Sequence, residues 1–97
     1  MELFCDFKEH GVAYTCDIHF SAITIPNMNI QSITGTHLEG KSDEDVEAIR
    51  FKDTTVNYFP QGLNKIFPNL KTVEIDNCGL KSITQRDLVG LENIRKL

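Results

Sequence analysis

The feature that most constrains this chain is a recurring spacing of apolar residues toward its end. Between Leu70 and Leu97 they fall at Leu70, Val73, Ile75, Cys78, Leu80, Ile83, Leu88, Leu91, Ile94 and Leu97. Val73 and Ile75 alternate as on a strand, which sends both to one side. Cys78 marks the exit from that strand, and Leu80, Ile83, Leu88 and Leu91 line the path back. The same order occurs 24 residues earlier, with Val46 for Leu70, Ile49 for Val73, Phe51 for Ile75, Thr54 for Cys78, Val56 for Leu80, Phe59 for Ile83, Phe67 for Leu91 and Leu70 for Ile94. Asn64 opposite Leu88 breaks the match, and Leu63 or Ile66 fills that place. A coil of this kind cannot bury its own apolar face, so it must stack against copies of itself. Phe59-Pro60 and Phe67-Pro68 belong on the return path, where a proline removes no ladder hydrogen bond.

The rest of the composition bounds the reading. The length of 97 residues fits one domain, and an apolar share of 40% supplies a core. A net charge of −4 argues against nucleic acid as partner, because phosphate binding needs a cationic surface. No apolar run approaches the roughly 18 residues of a membrane span, so no transmembrane segment is predicted. The opening MELFCDF lacks the basic start and apolar stretch of a signal peptide. No asparagine is followed two places on by Ser or Thr, so no N-glycosylation acceptor is present.

Residues 2–20 read as a strand pair. Phe4 to Phe7 form the first strand, and Lys8-Glu9-His10-Gly11 is a polar turn. Val12, Tyr14, Cys16 and Ile18 alternate with Ala13, Thr15, Asp17 and His19, a period of two. Cys5 and Cys16 stand on facing strands at similar distances from the turn. A disulfide is the economical reading, closing a loop of about 12 residues and contributing about 3 kcal/mol on the chain-entropy estimate. Two alternatives stay open. Free thiols are one. The other is a structural zinc held by Cys5, His10, Cys16 and His19, which have the right chemistry but no C-x₂₋₄-C spacing.

Residues 21–45 are less regular. Ile23-Thr24-Ile25 is extended and stopped by Pro26. Ile30 to Leu38 is rich in β-branched residues and reads as a first sheet strand, 30–38. Ser42 precedes Asp45 by three, a capping-box spacing that starts one helical turn. Asp43, Glu44, Asp45 and Glu47 form an acidic patch without the order of a calcium loop, so a solvated loop is preferred.

The two 24-residue units, Val46–Asn69 and Leu70–Asn93, with the start of a third at 94, resemble the extracellular leucine-rich repeat family. "GLNKIFPNL" and "DLVGLENIRKL" look like its return segment and entry to the next strand. A cysteine-bonded hairpin ahead of the first repeat looks like an N-terminal cap. The family's usual cap has four cysteines; this chain has two there, as do small secreted insect proteins of the family, the nearest match. The resemblance implies an α/β-type solenoid. Its parallel β-sheet would form the concave face, with short helical or irregular return segments and a hairpin cap over residues 1–29. Residues 30–97 would form the repeat region. It implies a non-catalytic protein-binding role and an extracellular location, either secreted or in a receptor ectodomain. It implies no cofactor.

Strand residues between the core positions would face the concave side. These are Ala48, Arg50 and Lys52 in the first unit and Thr72, Glu74 and Asp76 in the second. With parallel strands about 4.8 Å apart, the period sets Arg50 beside Glu74 and Lys52 beside Asp76. Such pairs help specify register at about 0.2–1 kcal/mol each. They also offer both signs of charge to a ligand. Cys78, the odd cysteine, is expected as a buried free thiol facing inward. No G-x-S-x-G, H-E-x-x-H or Gly-rich phosphate loop occurs. Ser32 or Thr34 near His37 is the one conceivable catalytic pair, so no enzyme, no catalytic residue and no metal site is expected. A chain ending at Leu97 inside a strand reads as a fragment. It also leaves an open sheet edge, and self-association through that edge is the competing expectation.

Overall fold

The computed structural model describes residues 1–83 and 93–96. Its strands are β1 (Glu2–His10), β2 (Ala13–Ile18), β3 (Ala22–Ile23), β4 (Ser32–Thr34), β5 (Val46–Lys52), β6 (Thr55–Val56), β7 (Thr72–Asp76) and β8 (Asn93–Lys96). A 3₁₀ turn at Asp43–Asp45 and a short helix α1 (Leu63–Ile66) complete the described secondary structure. Six strands form one sheet in the order β4-β1-β2-β5-β7-β8, and β3 pairs with β6 apart from it.

β1 and β2 are an antiparallel hairpin, with Phe7 opposite Cys16 and His10 opposite Ala13. Gly11 makes the turn at φ +63°, a left-handed conformation that costs a glycine little. Leu3, Cys5 and Phe7 are buried while Glu2, Phe4 and Asp6 are exposed, so β1 covers the core with one face only. β5 runs parallel to β2, with a bulge at Glu47 between the Tyr14–Val46 and Thr15–Ala48 partners. β7 follows parallel to β5, and β8 parallel to β7. β4 lies parallel to β1 at the opposite edge.

The apolar side chains of the sheet meet those of the returning segments. Ile18, Ile49, Phe51, Val73 and Ile75 come from the six-stranded sheet, and Ile23 of β3, Val56 of β6, Phe59, Leu63 and Phe67 from the segments between its strands. Phe51 and Phe67 are fully buried, and each stabilises the fold by about 1.5–3 kcal/mol relative to exposure. The exits from β5 and β7 match. Asp53 (φ +54°) and Asn77 (φ +55°) both turn left-handed, which Asp and Asn tolerate better than most side chains. The Asn77 amide donates to Asp53 Oδ1 at 2.7 Å, tying the two turns together.

The leucine-rich repeat solenoid expected above is overturned. The sheet is mixed, because the antiparallel hairpin sits inside it and joins β5 directly. The strand expected at 30–38 shrinks to Ser32–Thr34 and takes the far edge beside β1, so it is not the rung before β5. The period also fails at its third use. β5 and β7 align at a spacing of 24 residues, Ala48 beside Thr72, but β7 and β8 align at 21, Thr72 beside Asn93. Ile94 therefore pairs with Val73 and not in the place Leu70 predicts. Among the described residues nothing closes into a superhelix: the radius of gyration is 12.2 Å, and a compact domain of this length has about 12.5 Å. The physical reason lies in β2, whose inward Tyr14, Cys16 and Ile18 are all buried and extend the apolar row of β5. The positions Leu88, Leu91 and Leu97 lie outside the described residues.

Cys5 and Cys16 face the core and stand diagonally across the hairpin at disulfide distance, with Cα atoms 5.2 Å apart. That geometry agrees with the disulfide reading of the two cysteines. His10 falls on the opposite face of β1, where its ring meets Asp17 and Arg50, while His19 lies 3.7 Å from Asp6. Among the described residues no cluster of three or more His, Cys, Asp or Glu could hold a metal ion, and no helix is long and apolar enough to cross a membrane.

Candidate functional site

The outer face of the six-stranded sheet is covered by no other element among the described residues, and it carries most of the charge of the strands. Its register builds two rows. Thr15, Ala48 and Thr72 are neighbours in one, and Asp6, Asp17, Arg50 and Glu74 in the next. Between them opens a depression of about 320 Å³. Ala13, Thr15, Ala48 and Thr72 give it a floor of small side chains, and His10, Arg50 and Glu74 stand around it.

The charged row is incompletely satisfied. Arg50 Nε donates to Glu74 Oε2 at 3.1 Å, while its Nη1 stays 3.8 Å from Asp17 Oδ1. Asp17 Oδ1 is buried and accepts no hydrogen bond, a state that costs about 1–3 kcal/mol for a polar group and more for a charged one. Its other oxygen, Oδ2, lies 3.4 Å from His10 Nε2 and 3.9 Å from Lys8 Nζ. The same His10 nitrogen is 3.1 Å from Arg50 Nη1. One ring nitrogen cannot accept from arginine and donate to aspartate together, so His10 serves one neighbour at the expense of the other. Asp6 stands directly opposite Asp17, and Lys8 relieves that like-charge pair from 3.4 Å on the Asp6 side.

All six residues singled out from the sequence lie on this face. Arg50 and Glu74 are in contact, Ala48 and Thr72 form floor, and Lys52 and Asp76 are register neighbours at the far end. Sequence reasoning named His10 only as a candidate zinc ligand and passed over Asp17. The alternation of β2 places Asp17 on the outer face, but no spacing in the chain says that β2 lies beside β5. Cys78 is a buried free thiol whose Sγ lies 3.3 Å from Phe51 O and 3.1 Å from Asp76 O. It therefore ties the exit of β7 to β5.

A second polar cluster sits at the other end of β2. The Leu38 N–H donates to Tyr14 Oη at 3.0 Å, Tyr14 O–H donates to His37 Nδ1 at 2.8 Å, and His37 Nε2–H donates to Asp43 Oδ1 at 2.7 Å. Phe7 stacks on the His37 ring with centroids 4.0 Å apart. Every polar side-chain atom of the Tyr14–His37 pair is used, and the chain of bonds holds the 35–45 loop against the hairpin. The pairing of His37 with Ser32 or Thr34 does not form: Ser32 Oγ donates to Glu2 at 2.8 Å and Thr34 Oγ1 to Leu3 O at 3.4 Å. The acidic patch is likewise occupied. Asp45 accepts from the Ser42 N–H at 2.8 Å, the cap its spacing predicts, and Glu47 pairs with Lys71 at 3.5 Å.

No family model matches the chain, and neither a curated protein nor a solved structure matches it.

Proposed function

We propose that this chain is a non-catalytic protein-binding module that engages its partner through the open sheet face around Arg50 and Glu74. One observation carries the reading: His10, Arg50 and Glu74 stand around an open depression, and behind them Asp17, beside Arg50, keeps a buried oxygen without a hydrogen bond. A buried charge kept short of partners on an exposed face is costly for the fold alone, and it fits a surface completed by another molecule. The other polar cluster, at Tyr14, is saturated and serves the fold. The Cys5–Cys16 pair at disulfide distance supports an oxidising compartment, hence a secreted protein or a receptor ectodomain. Self-association is the second reading, favoured by the position of β8 at the end of the sheet order, where no further strand pairs with it among the described residues.

A photo-crosslinking amino acid at Ala48, on the depression floor, or at Val12, on the fully exposed hairpin turn, tests the proposal in extracellular fluid of the source organism. The expected result is a defined heterologous adduct from position 48, none from 12, and its loss with Arg50→Glu. Equal adducts at both positions, or an adduct indifferent to Arg50→Glu, overturns it. An adduct at 48 with the chain itself, together with concentration-dependent mass in solution, selects self-association.

A further inference from the structure

We infer that the depression receives one cationic side chain, a lysine or arginine presented by the protein partner. This rests on the protein-binding reading of the same face and names the chemistry that face recognises. Arg50 is divided between two carboxylates and satisfies one. Its Nε holds Glu74 at 3.1 Å, and its Nη1 stops 3.8 Å from Asp17 Oδ1, beyond hydrogen-bond length. Asp17 is nine-tenths buried, with Oδ1 bare of hydrogen bonds, whereas the Glu74 side chain is 26% exposed. A cationic newcomer therefore meets the Glu74 carboxylate before that of Asp17.

The outcome differs for the two signs of charge. An ammonium or guanidinium takes the Glu74 carboxylate and releases Arg50 Nε. The guanidinium then turns onto Asp17 and fills its bare oxygen. The ion pair lost at Glu74 is replaced by a better-buried one at Asp17, so charge balance improves. A carboxylate would leave Asp17 bare and add a third negative charge beside the one guanidinium that Asp17 and Glu74 already share. The net charge of −4 acts in the same direction, drawing cations toward the chain. The aliphatic stem of the incoming residue lies over Ala48 and Thr72, and about 320 Å³ accommodates one long side chain. Small floor residues serve this purpose directly, because any longer side chain at Ala48 or Thr72 would occupy the space.

The test uses acetyl-Gly-Arg-Gly-amide, its citrulline counterpart and its glutamate counterpart, titrated into the full chain. Side-chain carbon signals of Glu74 and Asp17 and the Arg50 Nε signal are followed by NMR. The expected result is a saturable response to the arginine peptide in which all three residues move together. Affinity falls at least tenfold for the citrulline peptide and for Glu74→Gln. It falls severalfold for Asp17→Asn, in which the compensating move is lost, and for Ala48→Leu, which fills the floor and alters no charge. No saturable response of Glu74 in the native chain, an equal response to the glutamate peptide, or binding that survives Glu74→Gln overturns the inference. The two proposals fail separately. A partner captured at Ala48 that the arginine peptide does not displace sinks the cation assignment alone. Peptide binding without any captured protein sinks the protein-binding reading alone.

Discussion

The inward side chains of β2, Tyr14, Cys16 and Ile18, and its outward pair, Thr15 and Asp17, are all buried, but their surroundings differ in kind. Inward, Cys16 is paired with Cys5, Ile18 is packed in the core, and Tyr14 sits in a chain of three hydrogen bonds that leaves no atom of its hydroxyl idle. Outward, Asp17 is covered by Lys8, His10 and Arg50, none of which bonds its Oδ1. The same strand thus carries one face finished by the chain itself and another that the chain leaves unfinished. Buried polar groups are ordinarily bonded, so the unfinished face is where a second molecule has most to contribute.

The inward face should dominate stability, and the largest effect tests that directly. Replacing both cysteines, Cys5→Ala with Cys16→Ala, removes a cross-link spanning 11 residues and is expected to cost about 3 kcal/mol, read as a lower midpoint in urea with a slope that is equal or steeper because the unfolded chain expands. A loss below about 1 kcal/mol would break the comparison, because the inner face would then not be what secures the hairpin. Next in size is Tyr14→Phe, which keeps the ring and removes the hydroxyl. The Leu38 N–H and His37 Nδ1 both lose a partner, for an expected loss of about 2 kcal/mol. Amide exchange at Leu38 should quicken in the same variant, whereas the response of Glu74 to the arginine peptide should stay as in the native chain.

The two faces also differ in how much of them the sequence reveals. The β5–β7 pair is legible because Ile49, Phe51, Val73 and Ile75 recur at one shift, and that shift brings Arg50 to Glu74. No such shift links β2 to β5. The hairpin reverses direction, residues 19–45 carry no apolar period, and the two strands meet with a bulge at Glu47, so the neighbour of Asp17 is settled by tertiary packing alone. Extending one period into a whole solenoid failed for the same reason: the inner apolar row of β2 competes for the edge of β5 and wins. The β-branched run Ile30–Leu38 shows the limit of propensity. It predicts nine residues of strand, yet pairing ends at Thr34, and at Gly35 (φ +143°) the backbone passes so close to Cys5 O that a Cβ there would clash. Edge position and close approach are properties of the assembled sheet and leave no periodic trace in the chain.

The smallest effects concern the outer face, and their order is diagnostic. Arg50→Gln removes the cation between Asp17 and Glu74. It leaves a nine-tenths buried carboxylate with Lys8 at 3.9 Å and His10 at 3.4 Å, at an expected cost of about 1–2 kcal/mol. Asp17→Asn removes the bare charge itself and should cost less than about 1 kcal/mol, because no hydrogen bond to Oδ1 is lost. If Asp17 burdens the fold, the double variant should be no less stable than Arg50→Gln alone, since the cation is missed only while the carboxylate is present. Chemical denaturation of the three variants measures this as a coupling energy of about 1 kcal/mol between the two sites. Additive losses would mean that Arg50 and Asp17 stabilise the sheet independently. The outer face would then be finished like the inner one, and the contrast between the two faces of β2 would disappear.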